Sequence, residues 1–296
     1  MIDLRPALAE TPGGEYALHL AAGLGRLELA HSLQVLAPGG SQDAPPAGDV
    51  LLLPAGGLPR PGYRVVAAVS DLSHLLAPRR FGILAAARRG LGVAFRAHRS
   101  DRLFAPSRLV AEGLVRYLRA RPEAVAVVTP GLEPWFTRTS AATVDDLRAE
   151  LELPDRYILA WGDPRRAREA FAAAEKPRDA GLVLLEELSS RRERWPALLS
   201  GAVGTLLLDR ACGCPIFALM AMACGSPPVV TGDGAYPELV RDGGLVAADA
   251  AELRDAVAAL FRSRALRSML STQARRLASS LTAEASALQL LPLLDL

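Results

Sequence analysis

The sequence predicts an α/β protein of two doubly wound, Rossmann-like domains that face one another across a cleft. Three observations lead there. Short apolar runs alternate with helical patterns from one end of the chain to the other. Most of those runs are apolar on both faces, as strands covered by helices on each side must be. The alternation pauses once, at the polar stretch Thr137–Asp145, and then resumes. A chain of 296 residues is long enough for two such cores.

Strands are expected at Leu33–Ala37, Val50–Leu53, Arg64–Val69, Leu103–Ala105 and Val125–Val128 before the pause. After it they are expected at Tyr157–Ala160, Leu182–Leu185, Thr205–Leu208, Val229–Val230 and Leu245–Val246. Between them, Ser107–Ala120 reads as a helix, because Leu109, Val110, Leu114 and Leu118 recur at three- or four-residue steps. Ser107 is placed to cap it. Cys214–Val230 is uncharged, but Pro215, Gly225, Pro227 and Pro228 interrupt it, so it reads as a buried helix and strand and not as a membrane span. From Ala250 onward the chain is helical, with Leu253, Val257 and Leu260 on one face. The expected domains are 1–140 and 141–275, with a last helix over 276–296 that crosses back to the first domain.

Composition excludes several classes. A net charge of +2 and an aromatic content of 5% argue against an electrostatic or base-stacking nucleic-acid binder. A 50% hydrophobic share argues against disorder. The start, Met1-Ile2-Asp3-Leu4-Arg5, lacks the apolar region of a secretory signal, so the expected location is cytoplasmic. Cys212, Cys214 and Cys224 are too few for a disulfide framework and suit a reducing compartment. They also fall short of the four ligands of a structural zinc site, with no histidine nearby, and read as buried thiols. No metal is expected.

Four segments, taken in order, resemble the retaining nucleotide-sugar glycosyltransferases of GT-B fold, the group-1 or family-four set. Ile2-Asp3-Leu4-Arg5-Pro6 and Pro12-Gly13-Gly14-Glu15-Tyr16-Ala17 look like the family's opening strand, glycine loop and first helix. Val65–Leu72 ends in Ser70-Asp71-Leu72, where the family commonly has His-Asp-Leu. Asp101–Arg108 and Val125–Gly131 are similar to a later strand, helix start and strand. Ala221-Met222-Ala223-Cys224-Gly225-Ser226-Pro227-Pro228-Val229-Val230, followed by Gly234-Ala235-Tyr236-Pro237-Glu238, resembles the signature of the nucleotide domain.

The resemblance implies transfer of a hexose from a nucleotide sugar to a carbohydrate or lipid-linked acceptor, with retention and without a cofactor. It implies that Gly13, Gly14 and Gly213 offer amides to the diphosphate, that Arg165 or Arg166 neutralises it, and that Glu238 contacts the nucleotide or serves its helix start. It also implies a degenerate donor site. The family's two glutamates fall on Cys212 and Met220, neither of which accepts a hydrogen bond as a carboxylate does. Its histidine falls on Ser70, and Pro215 stands where a glycine is usual. The interval from Arg165 to Thr205 is short enough to lack a helix or strand. Asp71 is a candidate catalytic group or a cap, and His74 a stand-in for the missing histidine or an ordinary structural one. The alternative is therefore a silent pseudoenzyme that serves an active transferase as scaffold or partner subunit.

Two further readings concern short patterns. Gly23-Leu24-Gly25 lies inside a helical pattern and lacks a third glycine, so it is no dinucleotide fingerprint. Arg79, Arg80, Arg88, Arg89, Arg96, Arg99 and Arg102 crowd one region with Phe81, Leu84, Leu91 and Phe95. That is either a helix for peripheral contact with anionic lipid or a solvated basic face over an ordinary core stripe.

Overall fold

The computed structural model describes residues 1–4, 11–29, 35–36, 50–55, 57, 59–76, 78, 82–188, 192–209 and 212–294. Arg5 and Pro6 of the expected opening, the ends of the expected strand Leu33–Ala37, and Arg79, Arg80 and Phe81 lie outside them. The chain divides into two compact units: Met1–Glu133 with Ala211–Ile216 and Leu281–Leu296, and Pro134–Arg210 with Phe217–Ser280.

In the first unit the parallel strands are β1 (Ile2–Asp3), β2 (Val35–Leu36), β3 (Val50–Leu53), β4 (Arg64–Ala68), β5 (Arg102–Ala105) and β6 (Val125–Val127). Their order in the sheet is β2-β1-β3-β4-β5-β6. Helix α1 (Pro12–Arg26) begins where the Gly14 amide donates to Thr11 Oγ1 at 3.1 Å, with Pro12 pre-set for the first turn. The short α2 (Ser73–Leu76) and the long α3 (Ile83–Arg99) follow β4. Helix α4 (Arg108–Leu118) is capped by Ser107, whose hydroxyl accepts from the Val110 amide, and it buries Val110, Leu114 and Leu118 as its spacing predicts. Leu51, Leu53, Val65, Ala67, Leu103 and Ala105 supply the sheet side of that core.

The second unit starts with α5 (Ala141–Glu150), capped by Ser140. Strands β7 (Arg156–Trp161), β8 (Ala180–Leu184), β9 (Gly204–Leu207), β10 (Pro228–Thr231) and β11 (Leu245–Ala247) form a parallel sheet in the order β11-β10-β9-β7-β8. The intervening helices are α6 (Pro164–Ala173), α7 (Trp195–Gly201), α8 (Ile216–Ala223) and α9 (Tyr236–Val240). Helices α10 (Ala250–Arg262) and α11 (Arg264–Ala278) follow the last strand. Leu253, Val257 and Leu260 of α10 pack with Ile158, Leu206 and Val229 of the sheet. The interval between Arg165 and Thr205 holds the rest of α6, β8 and α7.

Both sheets reverse direction of growth once, between β1 and β3 and between β7 and β9. In doubly wound sheets ligands bind outside the carboxyl ends of the strands at such a reversal. The two sheets therefore each nominate one edge for chemistry.

The last helix, α12 (Ala283–Leu294), belongs to the first unit. The Leu132 amide donates to the Leu281 carbonyl at 3.0 Å, and the Ala283 amide donates back to Leu132 at 2.9 Å. On α1, a Cβ at Gly23 would lie 2.1 Å from the Ala283 carbonyl oxygen. Gly23 thus allows α1 and the start of α12 to touch backbone to backbone, a packing role and not a phosphate turn. Gly23→Ala is expected to lower stability by about 1–3 kcal/mol through overpacking, and Gly25→Ala, which meets nothing within 4 Å, is not. Urea denaturation of the two variants checks this.

Candidate functional site

At the carboxyl edge of the second sheet, β7 is followed by Gly162, whose φ is +99°. A Cβ there would sit 2.6 Å from the Asp209 amide nitrogen, so only glycine lets the ends of β7 and β9 approach this closely. The Gly162 amide donates to Glu186 Oε1 at 3.3 Å, two residues past β8. Burial pushes the Glu186 carboxyl above its usual range, with the neighbouring Glu187 charge acting the same way and the Gly162 amide opposing both. Asp209 accepts from the Tyr236 hydroxyl at 3.1 Å. Thr231 donates to Asp233 in the loop after β10.

The start of α6 faces the same edge. Asp163 caps it, accepting the Arg165 and Arg166 amides at 3.1 and 3.2 Å, so these two amides are already engaged by a carboxylate. Arg165 is exposed and pairs with Glu169 at 3.4 Å. Arg166 differs: its Nη1 is buried and has no hydrogen-bond partner among the described residues. A charged donor left without an acceptor costs more than a neutral one, for which about 1–3 kcal/mol is typical. Glu238 is exposed in the first turn of α9.

In the first unit, Gly213, Cys212 and His74 are buried, Gly13 and Ser70 are half-buried, and Asp71 is exposed. Gly213 is buried, and a Cβ on it would lie 2.6 Å from the Ser70 carbonyl oxygen and 2.6 Å from the Val110 side chain. Ser107 Oγ donates to the Gly213 carbonyl at 2.7 Å. A Cβ on Gly13 would meet Ser70 Oγ at 2.6 Å. The Cys212 thiol donates to the Cys214 carbonyl at 3.1 Å, and the Cys214 thiol donates to Pro12 at 3.4 Å. Burial, with Cys212 and Asp71 nearby, holds the Cys214 thiol well above the ordinary range.

Asp71 acts as a cap: its carboxylate accepts the Ser73 amide at 2.8 Å and the Ser73 hydroxyl at 2.5 Å. His74 is buried with Nε2 unpartnered among the described residues. Burial lowers its pKa, with Arg89 adding to that and Asp71 opposing it. The Gly14 amide is taken by Thr11.

No protein-family model matches the chain, and no curated protein does. Solved structures do. A glycosyltransferase of lipopolysaccharide biosynthesis, WaaG, superposes at a TM-score of 0.68 over 97% of this chain and 98% of its own, at 15% identity. HepE from Anabaena, solved with UDP-glucose, gives 0.67 over 83% of this chain and 78% of its own, at 16% identity. Sucrose-phosphate synthase from Thermosynechococcus elongatus gives 0.62 over 79% and 67%, at 19% identity. The chain has a GT-B fold.

On this GT-B framework the two positions that the sequence aligns with glutamates are both interior. Cys212 is buried in the first unit. Met220 fills an apolar hollow of the second unit with Trp161, Trp195, Leu199 and Phe217, leaving about 10 Å³. The Trp161 and Phe217 rings lie 4.4 Å apart there. Motif reading missed Glu186 and Asp209, two carboxylates at this edge; the available signal was an acidic residue one place past a predicted strand.

Met220→Glu would bury a carboxylate in that hollow. It is expected to cost about 3–5 kcal/mol at pH 7, the scale of an uncompensated buried charge. Its folded-state pKa would be raised above the unfolded value of about 4.3, so the deficit should shrink as pH falls from the raised value toward about 4.3 and change little below it. Urea melts of both chains at pH 4 and pH 7 check it.

Proposed function

We propose that the chain binds a nucleotide sugar at the carboxyl edge of its second sheet and transfers the hexose to an acceptor with retention. The observation that carries this reading is Arg166, a cation with a buried, unpartnered nitrogen at the start of α6. A diphosphate oxygen is the acceptor it lacks. The fold likeness supports the same reading, since HepE was solved with UDP-glucose. In the transfer, the bond from the sugar's anomeric carbon to the diphosphate breaks as the acceptor oxygen bonds to that carbon from the same face. The acceptor's proton leaves with the diphosphate. Charge builds on the departing diphosphate, and fixed positive charge there is worth more than in water. Arg166, with Arg165 able to exchange its exposed Glu169 partner, fills that role. Asp163 already holds the two amides of the helix start, so side chains and not backbone supply the charge. Glu186 and Asp209 are the carboxylates available to accept from sugar or ribose hydroxyls.

One observation favours a second reading, that of a silent scaffold or partner subunit for an active transferase. Residues 212–214 present thiols and a crowded glycine backbone in place of a carboxylate and free amides. Asp71 caps a helix and His74 is interior, so neither is positioned as a free acid or base.

Calorimetric titration with uridine, guanosine and adenosine diphosphates tests the first reading. One of them is expected to bind, and Arg166→Gln to weaken it by about 10–100-fold, the scale of a hydrogen bond to a charged group. Absence of binding by all three at millimolar concentration overturns it. Turnover of a nucleotide sugar by the purified chain overturns the second reading.

The acceptor side is supported by α3. Ile83, Leu84 and Leu91 are 85%, 87% and 74% exposed, among Arg88, Arg89 and Arg99. The expected core stripe is thus not a core: Leu84, Leu91 and Phe95 face solvent, while Ala86 and Ala97 are buried. Among the described residues no helix is long and apolar enough to cross a membrane. An apolar stripe flanked by arginine suits the surface of an anionic bilayer, where a lipid-linked acceptor would lie. Phosphatidylglycerol vesicles are expected to co-sediment the chain, and Leu84→Ser with Leu91→Ser to abolish most of that binding. Equal sedimentation of both chains would remove the membrane contact.

A further inference from the structure

Helix α11 directs Arg264, Arg267, Ser268, Ser271, Thr272 and Arg275 to one side, at the three- and four-residue steps that usually carry an apolar stripe. That side lines a hollow of about 330 Å³ in the second unit, with Arg138 on its other wall. The hollow touches Val203 and Pro227, the residues just before β9 and β10, so it lies at the amino edge of the sheet. This is the edge opposite Arg166. Gly225, at φ +77°, forms part of the wall; a Cβ there would meet Ser271 Oγ at 2.9 Å and Arg275 Cδ at 3.4 Å.

The charge in this hollow is of one sign. None of the four arginines is ion-paired with a carboxylate among the described residues. Arg267 is fixed in place by donating to the carbonyls of Leu260 and Phe261. Its guanidinium is held below the ordinary range by burial and by the like charges of Arg156 and Arg264. Gathering like charges around a concavity costs stability unless something neutralises them. No acidic side chain among the described residues does so by ion pairing, although Asp and Glu number 32 in the chain.

We propose that this hollow binds a small phosphorylated molecule, at a site separate from the nucleotide-sugar edge. Guanidinium forks match phosphate oxygens two at a time. The hydroxyls of Ser268 and Thr272 add neutral donors beside them. The volume lies at the lower end of small-molecule pockets, room for one phosphate ester and not for a polymer.

Calorimetry with inorganic pyrophosphate tests this. Arg264 and Arg275 are exposed, so Arg264→Gln with Arg275→Gln leaves the anchored Arg267 and the fold in place. Saturable binding is expected in the native chain and in an Arg165→Gln, Arg166→Gln chain, and at least about tenfold weaker binding in the Arg264→Gln, Arg275→Gln chain. Loss in the Arg165, Arg166 variant alone assigns the anion to the other edge and overturns the proposal. Absence of saturable binding at 10 mM (a concentration of about 0.01 M, roughly 2.7 kcal/mol of affinity) also overturns it, as does citrate binding as tightly as pyrophosphate. Glucose 6-phosphate and inorganic phosphate, compared in the same way, identify whether an ester or the free ion is preferred, and either order upholds the site. Because Arg166 is untouched in the decisive variant, diphosphate binding at the nucleotide edge can fail or succeed independently.

Discussion

Gly213 packs its backbone against the Ser70 carbonyl and the Val110 side chain, and its own carbonyl takes the Ser107 hydroxyl. Much of the site's chemistry follows from that one fit. A peptide wedged between the end of β4 and the start of α4 is fixed by neighbours on several sides. The thiols on either side of it turn inward and donate to the Cys214 and Pro12 carbonyls. A stretch that resembles a sugar-holding loop in sequence is therefore built as part of the first unit's interior. The proposed nucleotide-sugar site therefore rests on the carboxyl edge of the second sheet.

That edge is arranged by electrostatics of modest scale. Asp163 uses its carboxylate to cap α6, which engages the Arg165 and Arg166 amides at the helix start and leaves the proposed anion contact to arginine side chains. Gly162 brings β7 and β9 together and donates its amide to Glu186, partly offsetting what burial does to that carboxyl. Arg166 is the member with a buried nitrogen, Nη1, that lacks a partner among the described residues. A buried donor nitrogen without an acceptor is retained at a cost, so it is informative in a way that the exposed Arg165 is not.

The second sheet has a different charge pattern at each edge. Acidic Glu186, Asp209 and Asp233 share the carboxyl edge with arginine, whereas the amino edge gathers Arg138, Arg264, Arg267 and Arg275 with hydroxyls. Parallel strands have both faces covered, so polar groups collect at their ends. Helix α11 follows this rule on one side and breaks the usual apolar stripe to do so, burying Leu270, Ala274 and Ala278 on the other.

Local pattern was legible without coordinates. The strands Val50–Leu53, Arg102–Ala105 and Leu245–Ala247 fall on the expected runs within a residue, because two-sided burial demands unbroken apolar stretches. Ser107 caps α4 because a hydroxyl before an apolar period satisfies an orphan amide wherever it occurs. Those features depend on neighbours a few places away. Other outcomes depend on residues far along the chain. The exposure of Leu84 and Leu91, the interior place of Met220, and the role of Gly23 at Ala283 are examples. So is the gathering of Arg138 with α11. Periodicity says that a face is apolar, but only packing decides whether anything covers it. The sequence by itself determined the alternation of strands and helices and their caps; the tertiary structure decided which apolar and charged faces were enclosed, since enclosure requires partners that no local window contains.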